Sequence, residues 1–240
     1  AGVLAPRREE MVRTAAQRLV AMTDAELRKG RVAIPNVGRT QKELERPFLE
    51  VYVRGRQEVL KERGRQLGKI PTVKLQGDDE DDEFAVTKAQ RAWVTTLAAG
   101  VVVAMVKGME NRGIEEATSV RQAELDPKEQ RIRIENALSG LSENVIQQDL
   151  RAAMNTSFVT GREEQADAMR DEIATSFYSA IMDEGTEKCA DAGGTCAALD
   201  GEEHEQGDPE YTVPNPNCAW TPNCRCTNVN IFRGAEEEGG

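Results

Sequence analysis

The stretch SENVIQQDLRAAMNTSFVTGREEQADAMRDEIATSFYSAIM, residues 142–182, changes its hydrophobic period partway along, and the reading of the fold turns on that change. Up to Met169 the apolar residues Val145, Ile146, Leu150, Ala153, Met154 and Phe158 recur at the spacing of one helix face. Residues 175–182 then alternate Phe177, Ser179 and Ile181 against Tyr178, Ala180 and Met182, which suits a strand. The expected fold is mainly α: an extended helical body followed by a small, Cys-rich α+β module of short strands and loops.

Working upstream, Met11, Val12, Ala15, Ala16, Leu19, Val20 and Met22 mark a first helix, with Gly30 placed to end it. Thr40 and Glu43 have capping-box spacing, and Leu44, Phe48, Tyr52, Val59, Leu60 and Leu67 continue a helical stripe that Pro47 is expected to kink or restart. Residues 87–111 read as a long helix. Asp126, Pro127 and Glu129 open another, because Asp caps free N–H groups, Pro needs no donor there and Glu suits the positive helix end. Ser139 and Gly140 are expected to interrupt it. The acidic run 78–83 repels itself and reads as a linker. It lacks the Gly and the spaced ligands of an EF-hand calcium loop. The division is then an N-terminal helical segment (1–76), an acidic linker (77–84), a helical body (85–170), the Cys-rich module (171–232) and a tail (233–240).

The 240 residues are 30% charged and 4% aromatic with a net charge of −11, a balance opposed to a dedicated nucleic-acid binder, which needs clustered Lys and Arg. Arg54, Arg56, Lys61, Arg63 and Arg65 form one local basic segment, read as a solvated helix face. The opening apolar stretch is too short for a signal peptide, and Ala1 in place of an initiator Met fits a processed or partial chain. The apolar run 93–106 falls short of the roughly 20 residues that span a bilayer, and reads as a core or oligomer-interface helix with no membrane role.

Chemistry concentrates near the C-terminus, in DEGTEKC (residues 183–189), CAALDG (196–201) and PNCRC (222–226). A loop-rich segment with little apolar content needs a cross-link or a metal to hold one shape. Cys189, Cys196, Cys224 and Cys226 are the candidate zinc ligands. A C-x-C pair in extended chain points its thiols to opposite faces, so Cys218 or His204 is a substitute ligand. Zinc, disulfides and packed thiols all remain open, and five cysteines cannot all pair within one chain. His204, the only histidine, lies in the polar stretch 201–207 and reads as a solvated loop residue. The zinc-deaminase, H-E-x-x-H and phosphate-loop patterns are absent, so no catalytic residue is expected.

A strand, then Asp183 and Thr186, Cys189 and Cys196, Leu199-Asp200-Gly201, a Pro-rich loop, and Pro222, Asn223, Cys224, Arg225 and Cys226 before a last strand together resemble the C-terminal domain of the phage Mu protein F-like head morphogenesis family. Asn155, Thr156 and Arg162 fit its helical lead-in, and the resemblance covers roughly residues 141–232. Two departures concern the metal site. Residues 190–195 separate the first two cysteines, and Thr221 stands where the family tends to place His, with Cys218 of a second Pro-Asn-Cys nearby. The resemblance implies a non-enzymatic minor head protein in the virion, inside the capsid near the portal, with the host cytoplasm as its place of assembly. The implied partners are the portal ring, which would carry several copies, the major capsid protein or scaffold, and packaged DNA. The alternative is a zinc-stapled interaction module anchoring a helical adaptor.

Overall fold

The protein is described here by a computed structural model, which covers residues 5–34, 37–68, 85–180, 195–213, 215 and 226–234. The acidic run 78–83, Cys189, Cys218 and Cys224 lie outside the described residues, as do Asp183, Thr186 and the Pro222-Asn223 step. Within them the chain forms α1 (Ala5–Ala21), α2 (Asp24–Leu27), α3 (Val37–Leu67), α4 (Lys88–Gln122), α5 (Pro127–Ala168), β1 (Ile173–Ser179), α6 (Thr195–Leu199), β2 (Glu203–His204) and β3 (Thr227–Phe232). The expected helical body with a small C-terminal α+β module is what the chain adopts.

Contacts divide the chain into two compact units, each built from two separate stretches: Ala1–Glu45 with Thr95–Leu150, and Arg46–Val94 with Arg151–Gly240. In the first, Met11, Val12, Ala15, Ala16 and Leu19 of α1 pack with Met109, Ala117 and Val120 of α4 and Ile134 and Leu138 of α5. Gly113 makes room for this packing, since a Cβ there would lie 2.6 Å from a Leu19 methyl. The open carbonyls at the end of α1 are met by Arg121, which donates to Leu19 O and Val20 O at 3.3 Å and to Met22 O, and pairs with Asp24 at 2.7 Å. Asp126 caps α5 as expected, accepting from Lys128 N at 2.8 Å and Glu129 N at 3.0 Å.

Four expectations are corrected. The capping box belongs to Thr23 and Glu26, at the start of α2; α3 begins at Val37, so Thr40 lies inside the helix, where its hydroxyl is buried and donates to Met11 Sδ at 3.6 Å. Helix α3 is not restarted at Pro47, the second of the two outcomes expected there, but continues through it. The lost backbone bond costs about 3 kcal/mol, and the buried Leu44, Phe48 and Tyr52 on either side outweigh it. Likewise α5 runs unbroken through Ser139 and Gly140, because a mid-helix glycine costs only about 1 kcal/mol beside the buried Ile134 and Leu138. Finally, α4 extends well past the apolar run on both sides and is long and apolar enough to cross a membrane by length and composition. Only 28% of its most apolar stretch is buried, and Val103 is 61% exposed, which departs from the core-helix half of the expectation and not from its oligomer-interface half.

In the second unit α3 and α5 run side by side and carry an antiparallel sheet of order β2-β1-β3. Central β1 pairs Ser176 with His204 and with Asn230, and Phe177 with Glu203 and with Val229. The end of the sheet where Ile173 pairs with Phe232 rests on Val59, Leu60, Ala166 and Met169.

Candidate functional site

The sheet's inner face is polar. Along β3 the buried positions are Asn228, Asn230 and Phe232, while Val229 is 38% exposed. Alternation of hydrophobicity alone would have sent Val229 and Ile231 inward. The inward amides survive burial because each has a partner. Ser176 Oγ lies 2.8 Å from Asn230 Oδ1 and 3.2 Å from Gln206 Oε1. Asn228 donates from Nδ2 to Tyr211 O at 3.2 Å. From α5, Arg162 reaches Asn228 O at 2.7 Å and Glu62 of α3 at 2.7 Å, and Glu62 in turn is 3.5 Å from Asn230 Nδ2.

Glu163, the next residue on α5, is partly buried, and the side-chain amides of Gln206 and Asn228 are near enough to favour its ionised form. Burial pushes its proton affinity up, to a pKa of about 7, against the pull of Arg162 and these hydrogen bonds. Arg162 is the strongest of the groups that pull it down, ahead of the two amides, and burial still outweighs it.

His204 is not the solvated loop residue the sequence suggested. It lies on β2, is 7% exposed, and stacks on Tyr211 with ring centroids 4.3 Å apart and planes 3° from parallel. Its Nδ1 faces Glu205 O at 2.9 Å and its Nε2 faces Asn228 Oδ1 at 3.2 Å, so a metal on either nitrogen would displace one of them. Arg56, read as part of a solvated basic face, is also buried: it donates to Gln165 at 2.9 Å and to Ala85 O at 3.0 Å.

Two of the four candidate zinc ligands converge. Cys196 of α6 and Cys226 at the head of β3 are buried in one cluster with Val159, Tyr178, Ala180 and Val213. The Tyr178 hydroxyl is 3.5 Å from Cys196 Sγ and also bonds the Cys226 thiol. Burial, then these thiol contacts, raise the tyrosine's pKa. The Leu199-Asp200-Gly201 turn positions the pair. Asp200 accepts from Ala180 N at 2.8 Å, Gly201 turns back at φ +79° to donate to Tyr178 O at 2.8 Å, and Tyr178 N donates to Glu202 O at 3.0 Å. That turn therefore extends the β1–β2 pairing and seats Cys196 under Tyr178. Among the described residues no three His, Cys, Asp or Glu side chains are grouped to hold a metal; Cys189 and Cys224, the remaining candidates, lie outside them.

Sequence reasoning missed Glu163, Ser176, Asn228 and Asn230. The available signal was Asn at alternate positions of a strand, in 227–232, which reads as an outward polar face when no neighbour is known. Comparison with family models, with curated proteins and with solved structures finds no match to this chain.

Proposed function

We propose that this chain is a minor structural component of a tailed-phage head, associated with the portal vertex, where it assists head assembly, DNA packaging or genome ejection. The observation that carries this reading is the Leu199-Asp200-Gly201 turn. The motif residues of the resemblance hold the end of β1 and place Cys196 beside Cys226, in a three-stranded module fed by a long helix. Those residues then serve architecture, as an assembly protein requires, and the long helices offer faces for docking on a portal ring. Its partners would be the portal, with several copies around it, and the capsid protein, scaffold or DNA alongside. The net charge of −11 favours protein partners over DNA as the main contact. On this reading the chain performs no catalysis.

The meeting of Cys196 and Cys226 at one hydroxyl favours a second element, a zinc staple within the module. Two buried sulfurs supply half of a tetrahedral sulfur set, which Cys189 and Cys224 would complete. A chain of this kind could instead be an interaction module that anchors a helical adaptor elsewhere. Cryo-electron microscopy of assembled particles, reconstructed without icosahedral symmetry, separates the two. Density for the chain confined to the portal vertex supports the head-protein reading; its absence from particles, or its spread over the shell, sinks that reading in favour of the adaptor.

A further inference from the structure

Residues 22–33 leave the end of α1, pass through α2 and turn back, and the returning chain is tied down at two neighbouring points. Arg18 of α1 donates to Ala33 O, and Val32 N donates to Glu110 of α4 at 3.3 Å. The loop encloses a cleft of about 510 Å³, within the roughly 300–1,000 Å³ of small-molecule sites. Three cations line it, Arg18, Lys29 and Arg31, with one carboxylate, Glu26, beside the apolar Ala21 and Met22.

The positive charge of this lining is not cancelled locally. Glu26 turns its carboxylate to the capping box, accepting from Thr23 N at 2.7 Å and Thr23 Oγ1 at 2.8 Å, and Lys29 is near enough to favour its charge. Setting Lys29 against Glu26 still leaves two guanidinium charges. Arg18 is oriented by a backbone carbonyl, which fixes the group without neutralising it. Arg31 forms no ion pair among the described residues. The other negative groups nearby are met by Arg121. It covers the carbonyls at the end of α1, donating to Leu19 O and Val20 O at 3.3 Å and to Met22 O, and it pairs with Asp24 at 2.7 Å. An anion entering the cleft therefore meets cations and an apolar wall, not bare helix carbonyls.

We propose that this cleft binds a small organic phosphate, with the phosphate between Arg18 and Arg31, Lys29 at its edge, and a compact apolar group over Ala21 and Met22. Two guanidinium forks match the several oxygens and double charge of a phosphate better than the single charge of a carboxylate. A long polyanion such as a nucleic-acid strand is disfavoured, because the net charge of −11 on the chain repels it beyond the cleft. This inference is independent of the head-protein reading.

The test is isothermal titration calorimetry of the full chain in a phosphate-free buffer of low salt, with phenyl phosphate, inorganic phosphate and phenylacetate as titrants. Wild type is expected to bind phenyl phosphate about tenfold more tightly than inorganic phosphate, since the ring buries apolar surface. It should also prefer phenyl phosphate to phenylacetate, which carries one charge. R31A is expected to weaken phenyl phosphate about tenfold, and K29A with R31A on the order of a hundredfold. Both positions are exposed, so the fold should survive their loss. K128A removes an exposed cation of α5 that does not line the cleft, and should leave binding unchanged. Should a variant fold poorly, amide NMR of wild type locates the site, with shifts on adding phenyl phosphate expected within residues 18–33. Absence of binding by wild type, an R31A no weaker than K128A, or amide shifts elsewhere would each overturn the site. Inorganic phosphate or phenylacetate binding as tightly as phenyl phosphate would overturn the ligand class.

Discussion

Gly55 of α3 and Gly161 of α5 each sit against the other helix's backbone: a Cβ at Gly55 would lie 2.0 Å from Phe158 O, and one at Gly161 would lie 2.1 Å from Tyr52 O. The two helices therefore touch main chain to main chain, nearer than side chains permit. That closeness brings short polar groups across, as where Ser157 Oγ donates to Phe48 O at 2.9 Å and the Tyr52 hydroxyl donates to Glu164. The contact is the floor on which the sheet and its polar face are built.

G55A or G161A must force the helices apart or distort one, since the obstruction is backbone and cannot rotate away. Each is expected to destabilise the protein by about 3 kcal/mol or more. The double variant should cost less than the sum, because one separation accommodates both methyls. Thermal or urea unfolding followed by circular dichroism checks this; a change under about 0.5 kcal/mol for either single variant would mean the helices do not touch there.

Arg162 and Glu62 form an ion pair whose side chains are 7% and 15% exposed. R162A leaves Asn228 O without its donor and the Glu62 carboxylate with only the long contact to Asn230 Nδ2, at an expected cost of about 3 kcal/mol. The paired change R162M with E62L should recover most of that loss. Urea denaturation of the three variants decides it, and a double variant no better than R162A would show that the pair's value is not electrostatic.

Stability should fall as pH rises through the Glu163 transition. Its folded pKa of about 7 lies above its ordinary 4.5, so between those values the native state holds more protons than the unfolded chain. The native state is thus unpenalised below pH 4.5 and carries the full cost of the buried charge above pH 7, at most about 3 kcal/mol. E163Q removes the cost and is expected to exceed wild type in stability at pH 8 while matching it near pH 5. Denaturation midpoints across the range give the comparison, and parallel curves for the two proteins would count against the assignment.

If zinc staples the module, the chain purified in reductant without chelator carries one zinc ion, and C196S and C226S each lose it. Elemental analysis by mass spectrometry reads this directly. Metal retained at full occupancy by either variant removes that cysteine from the ligand set, and metal-free wild type leaves packed thiols around Tyr178 as the better description.

Several features were legible in order of residues alone. The helix at α5 announces itself through Asp126 and Pro127, whose capping chemistry is local, and 227–232 reads as the closing strand that β3 is. The change from helical to strand period near Met169 is likewise where α5 gives way to β1. Pro47 and Gly140 misled because their costs are fixed and modest, whereas the burial that overrides them depends on partners far along the chain.

The sequence by itself determined the class of fold, the long helices and the first and last strands in chain order, β1 and β3, since these follow from local period and turn chemistry; β2 and the short helices were not readable. Only the tertiary structure decided which face of the sheet turns inward. Asn228, Asn230 and His204 could be buried because Arg162, Ser176, Gln206 and Tyr211 arrive from distant positions to satisfy them, and a polar group's freedom to leave water depends on its partners. The same dependence made Glu163 what it is. Its helix position was readable, but its hold on a proton came from neighbours that folding alone brought beside it.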